Sequence, residues 1–487
     1  MSNTTNFFYR NRSETYGKLY FKSWLPQVYF PTVELLRKSV LETAVKQYTD
    51  ELSDAITMCK HQKLGTIVKK LEQISQRFSK IPRGQRQEMF SGAYQAEKRR
   101  REEQERQQNQ EIIRKNIAEI IDNCINAVNA GCSMKVEGVL NEVRGCLEQL
   151  DLTSIDSGDP IASGIIDISE GVDSVADKLS VETKQVLEEI ELSEPEFSEK
   201  TITMLDEFIN TYELLGPNFD PALVNPITFP RDENNLGERR VLLTTFDLLE
   251  GLRNCWSLRP LLGEREYSEN SYVIHAVSRV VDPIFNYYKW NLKRSWEKVS
   301  NSSQARKELM RSIHSGDRPD LQVLLMLDSD KWELVFTEIS RLDPRADKQS
   351  NDWKKLNRLC KDGFDARFNE LIKEKVVDAD EAKCLINELL QIPFIGIQVI
   401  SNRVLVFGID FYNNSFYRSF RICEYTIPLR VSDRQVVEDF LKSSLKVKCY
   451  LEKIVNNFVR IKDRIDRLPN MVGNERSGSS MSMSTTF

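Results

Sequence analysis

Two short apolar runs in the second half of the chain, 321–327 and 333–339, constrain its fold more than any other feature. They follow directly on Gly316-Asp317-Arg318-Pro319-Asp320. Each has the length and apolar character of a buried strand. Each also carries a carboxylate: Asp320 opens the first, and Glu338, 18 residues later, lies in the second. A carboxylate is costly to place in a sheet unless a partner stabilises its charge. A divalent cation is one such partner, and it can also lower the pKa of a bound water. Glu338 and Ser340 are two apart and so share one face of their strand. Upstream, Glu269 sits near the start of a helical pattern, Ser268-Glu269-Asn270-Ser271-Tyr272-Val273. Acids from a helix N-terminus and two adjacent strands could therefore converge on one Mg²⁺. The ordinary alternative is a turn at Arg318-Pro319-Asp320, an ion pair from Glu338 to Arg318 or Arg341, and a helix capped by Glu269.

The pattern around that pair is α/β. Helical spacing covers 241–256 and 267–298, a polar helix covers 352–375, and a short one covers 379–390. Strands resume at 395–400, 404–410 and 416–427, with turns at Ser401-Asn402 and Asn413-Asn414. A helix over 433–468 closes the domain. Helix, strand, strand, helix, strand is the order of an α/β domain with a mixed sheet. The N-terminal part reads as all-helical, a hairpin or coiled-coil-like region. Apolar residues recur at three and four from Thr32 to Ser79, and Pro82-Arg83-Gly84 breaks the pattern. A second long helix runs from Arg86 to Ala130, with a wholly polar middle and then a stripe of Ile113, Ile117, Ile120, Ile121, Cys124, Ile125 and Val128. The expected division is a helical region 1–150, an acidic linker 151–180, a helical segment 181–215, a proline-rich linker 216–235, the α/β domain 236–470, and a disordered tail 471–487. The main boundary falls among Pro217, Pro221, Pro226 and Pro230.

Charge and cysteines limit the function classes. The 487 residues carry a net charge of -5, so wholesale coating of nucleic acid is not expected. Residues 151–200 hold 14 acids against 3 lysines, which leaves +6 for the rest of the chain. That remainder includes Lys98-Arg99-Arg100-Arg101. Glu97, Glu102, Glu103, Glu105 and Glu111 are interleaved with the basic residues, and Glu97–Arg101, Glu102–Arg106 and Glu111–Lys115 stand at i,i+4. This predicts a self-paired, solvated helix face. The nine cysteines form no C-x-x-C and only three histidines exist, so no zinc site is expected. No P-loop, G-x-G-x-x-G, G-x-S-x-G or H-E-x-x-H occurs. No run of 18 apolar residues occurs either, so no membrane association is expected and the chain is placed inside the cell, in cytoplasm or nucleus.

The order Glu269, Pro319-Asp320, Glu338-x-Ser340 resembles the PD-(D/E)XK nuclease superfamily. Phe246 to Trp256, Ser268-Glu269, Arg318-Pro319-Asp320, Trp332 to Val335, Glu338 to Arg341 and Gly396 to Val399 together resemble large uncharacterised protein families of mucoromycete and glomeromycete fungi. The similarity spans about 240–445. It implies a four-stranded sheet flanked by helices, with Glu269, Asp320 and Glu338 at the Mg²⁺-binding positions. The superfamily's catalytic lysine position is Ser340 here. A lysine there offsets phosphate charge, which serine cannot do. Lys354 and Lys355, on the following helix, could stand in. The expectation is a nuclease-like domain that engages DNA or RNA, with Mg²⁺-dependent cleavage as its active version. The alternative is a non-catalytic interaction protein that binds protein partners, or itself, through the N-terminal helices.

Overall fold

The computed structural model describes scattered positions within 46–61 and then residues 65–169, 175–190, 192, 195–215, 236–257, 269–286, 289–309, 315–340, 346–373, 375, 380–429 and 433–468. The chain divides into two compact units, 1–109 and 110–487. In the first unit, helix α1 (Gly65–Lys80) buries Val68, Leu71 and Phe78, which fall on one stripe at helical spacing. Residues 32–45 of the expected helical stretch from Thr32 to Ser79, and the tail 471–487, lie outside the described residues.

Helix α2 (Arg83–Asn129) is 47 residues long. Its described polar positions around 102–108 are exposed, as a helix without apolar residues there requires. Among them Arg106 pairs with Glu103 at 3.3 Å and Arg114 with Glu111 at 3.9 Å. Both are i,i+3 pairs, and the side chains of Glu97 and Arg101 lie outside those described. The stripe of Ile113, Ile117, Ile120 and Cys124 is buried in the core of the second unit. It is therefore not a free coiled-coil seam. Asn116 and Asn123 fix this half of the helix by donating to the carbonyls of Ala162 and Ser415, at 2.8 and 3.3 Å.

The second unit is built on a mixed sheet of seven strands in the order β1-β7-β6-β5-β4-β3-β2. The strands are β1 (Ile165–Asp167), β2 (Asn291–Trp296), β3 (Leu321–Leu327), β4 (Asp330–Ser340), β5 (Phe394–Ile400), β6 (Arg403–Tyr412) and β7 (Phe416–Thr426). The pairs β1–β7 and β4–β5 are parallel and the others antiparallel. The turn residues Ser401, Asn413 and Asn414 take positive φ, at 56°, 44° and 57°, which joins β5–β6 and β6–β7 tightly.

Three expectations are corrected here. Residues 291–296 form strand β2 and not the end of a helix. The acidic segment 151–180 is not a spacer, because it supplies β1, whose Ile165 and Ile166 are buried beside β7. Nor do the prolines separate two modules. Helix α5 (Glu199–Leu215) packs Phe208 and Tyr212 against Trp256 of α6 (Leu236–Ser257), with ring centroids 5.1 and 4.6 Å apart. Between β1 and α5 lies α4 (Val181–Glu188), and α3 (Met134–Glu148) precedes β1.

The remaining helices hold the sheet. Helix α7 (Glu269–Tyr272) continues through a π turn (Val273–Val277) into α8 (Ser278–Val281). Helix α9 (Asn301–Leu309) precedes β3. Helix α10 (Ala346–Ile372) and α11 (Asp380–Leu390) make the crossover from β4 to its parallel neighbour β5. Helix α12 (Arg434–Asp466) closes the fold, capped by the Asp433 carboxylate on the Val436 N–H. Trp353 and Phe364 of α10 meet Phe407 and Tyr417 of the sheet at 4.5 and 5.8 Å. On α12, Phe458 and Phe440 meet Trp332 and Tyr425 at 5.4 and 6.0 Å.

Candidate functional site

The β3–β4 ladder ends at Leu321↔Thr337, and β4 runs three residues further beside β5. A backbone N–H on that overhang has no β3 carbonyl to meet. Asp320 supplies the acceptor: the Ile339 N–H donates to its Oδ2 at 2.6 Å. Asp320 and Glu338 are thereby brought to one end of the sheet.

Glu338 is nearly sealed from solvent, with 5% of its side chain exposed. Its counter-charge comes from α10, where Lys355 Nζ lies 2.6 Å from Glu338 Oε1. The same ammonium donates to the carbonyl of Arg318 at 2.6 Å. Burial pushes the Glu338 carboxyl up to about 8; Lys355 works against that, while Asp320 and Asp352 add to it. Ser340, at the expected lysine position, is buried and donates through Oγ to Asp352 Oδ2 at 2.8 Å. Asp352 and Lys355 are i,i+3 on α10, so one helix face reaches both Ser340 and Glu338.

Lys354 points elsewhere. It pairs with Asp159 at 2.7 Å and Asp156 at 3.4 Å, which ties the acidic segment to α10. Trp353 adds to that tie by donating to Asp167 at 2.7 Å. Glu269 begins α7, and its side chain lies outside those described. The helix it opens does reach the same end of β4. The Tyr272 hydroxyl donates to the carbonyl of Ser401, and the Ser401 N–H donates to the Ser340 carbonyl at 3.3 Å.

The loop before Asp320 is held from α9. Gly316 N–H donates to Gln304 Oε1 at 2.6 Å, and Asp317 N–H to Ser303 Oγ at 2.9 Å. The Asp317 carboxylate takes Lys307 at 2.7 Å, Arg306 at 3.2 Å and Arg358 at 3.5 Å. Burial opposes its charge, but the Lys307 hydrogen bond and these three cations outweigh it and hold the Asp317 carboxyl below its usual range. Glu333 of β4 fixes the N-terminus of α9, accepting from the N–H groups of Asn301 and Ser302 at 2.7 and 3.3 Å.

Sequence reasoning missed Asp352 and Asp317. The first had a signal, an acid one turn before Lys355 on the helix that follows β4. The second stands inside the motif itself.

The donor chemistry suits a hard divalent cation. Asp320 and Glu338 stand at one end of the sheet, and the Lys355 ammonium supplies the positive charge there. Mg²⁺ is commonly held by one or two protein carboxylates with water and phosphate completing its shell. Among the described residues no group of three or more His, Cys, Asp or Glu able to hold a metal occurs. Among them, too, no helix is long and apolar enough to cross a membrane. The described cysteines are all free, with Cys124, Cys255 and Cys360 buried. No family model, no curated protein and no solved structure matches the chain.

Proposed function

We propose that the unit 110–487 carries a nuclease-like site that engages nucleic acid and cleaves phosphodiesters with Mg²⁺. Asp320 and Glu338 would hold the cation, and Lys355 would take the role of the lysine replaced at Ser340. The cation, when bound, would activate a water and offset charge on the phosphate. Lys355 would leave Glu338 for a phosphate oxygen and neutralise charge that builds there. The observation that supports this reading is the contact of Lys355, and not Lys354, with Glu338. It puts a cationic group beside the acid pair that serine cannot supply.

A second reading has its own support. Asp320 accepts a backbone N–H and Glu338 has an internal counter-charge, so both acids already have structural work. On that reading the domain is a non-catalytic interaction module. Incubating the full chain with single- and double-stranded DNA and RNA, plus Mg²⁺ or Mn²⁺, separates the two. The nuclease reading expects cleavage of at least one substrate, its loss in Asp320→Ala/Glu338→Ala, and a fall of about 10²-fold in Lys355→Met. If the wild-type protein leaves all four substrates intact, the catalytic reading is lost.

A further inference from the structure

Lys355 is held more firmly than a surface ion pair. Its ammonium bridges two groups, the Glu338 carboxylate and the Arg318 carbonyl, both at 2.6 Å. The carbonyl belongs to the loop that delivers Asp320. The carboxyl is almost fully buried, so its charged form depends on a counter-ion beside it. A cation bound to Oε1 at the ~2.1 Å usual for Mg²⁺ would lie against a like charge that already sits 2.6 Å from that oxygen. The two positive charges would repel one another across that oxygen, so each weakens the hold of the other. Lys355 retains 29% side-chain exposure, so it has a way out to solvent without any change in the helix.

We infer that Lys355 is the resident counter-ion of this site, and that a divalent cation and the Lys355 ammonium compete for Glu338. The inference rests on the reading of Asp320 and Glu338 as metal ligands, and it adds a property of the protein without substrate. Metal affinity is held down by the chain's own lysine. Displacement frees that lysine at the moment the metal arrives, next to where a phosphate would bind. Lys354 takes no part, because its ties to Asp156 and Asp159 lie on another side of α10.

The test uses full-length protein, no nucleic acid, and Mn²⁺ as the probe. Calorimetric titration compares wild type, Lys355→Met and Lys355→Arg. Lys355→Met is expected to bind Mn²⁺ about tenfold more tightly than wild type, and Lys355→Arg no more tightly. A second measurement needs no variant. Labelling of wild-type lysines with acetic anhydride, read by mass spectrometry, is expected to rise severalfold at Lys355 when Mn²⁺ saturates, and to stay level at Lys354. Equal Mn²⁺ affinity of wild type and Lys355→Met overturns the inference while leaving the metal site in place. So does Lys355 labelling that ignores saturating Mn²⁺. If Lys355→Met fails to fold, judged by its melting curve, the labelling decides alone. If neither folded protein binds Mn²⁺, the reading of Asp320 and Glu338 as ligands falls together with the inference.

Discussion

Asp317 gathers three cations from two helices onto one carboxylate, and it stands three residues before Asp320. Replacing it leaves Arg306, Lys307 and Arg358 facing one another in a partly buried space. Asp317→Asn is therefore expected to destabilise the protein by about 3 kcal/mol at pH 7, measured by urea unfolding. The sign of its pH dependence follows from a folded-state pKa below the ordinary 3.8. Such a group contributes stability above the unfolded pKa and loses it as pH falls through the folded value. The gap between wild type and Asp317→Asn should thus be full at pH 5 and narrow progressively below pH 4. A gap that stays constant down to pH 2 would refute this account. Asp320 and Glu338 were legible in the sequence because each is a charge set against apolar neighbours. Asp317, two residues before Pro319, was in plain view but unreadable. Its partners come from α9 and α10, which only the fold brings together.

Elements whose pattern is local were read well, and those defined by a neighbour were not. β3 was placed at its observed limits, and α12 shows a stripe from Val437 to Ile465 that any helical period reveals. β2 was misread. It is a charged edge strand, Asn291-Leu292-Lys293-Arg294-Ser295-Trp296, whose extended form is decided by pairing with β3. Lys293 and Arg294 on an edge also discourage pairing with other chains. Helix α10 matters most to the site, since it supplies Lys355 and Asp352. It approaches the sheet closely at Gly363, where an added Cβ would fall 2.3 Å from the Phe394 ring. Gly363→Ala should push α10 off the sheet at a cost of about 2 kcal/mol, visible as a lowered melting temperature. Glu333→Ala should cost about 1 kcal/mol through the lost acceptor for the Asn301 and Ser302 N–H groups of α9. If Glu333→Ala melts like the wild type, the carboxylate is not what anchors that helix.

At the scale of the whole molecule, the division at 109/110 replaces the one expected at the prolines. The difference has a physical source. Proline and acidic runs mark breaks in regular structure, and they say nothing about whether the flanking segments share a core. Fragment 110–487 is expected to give a single cooperative thermal transition by circular dichroism. Fragment 236–487 should give none. It lacks Ile165, Ile166, Phe208 and Tyr212, each buried in the same core. At roughly 1.5–3 kcal/mol per buried side chain, their loss rivals the whole stability of a typical domain. A cooperative transition in 236–487 would restore the boundary at the prolines. The parallel pairing of β1 with β7 also has a bearing on how the protein is made. Ile165 meets Tyr417, so β1 leaves the ribosome about 250 residues before the strand it needs. At 5–20 residues per second that interval is on the order of tens of seconds. Through it the buried faces of α2, α3 and β1 have no sheet to cover them, and a nascent chain stalled before residue 416 would be a natural client for a chaperone.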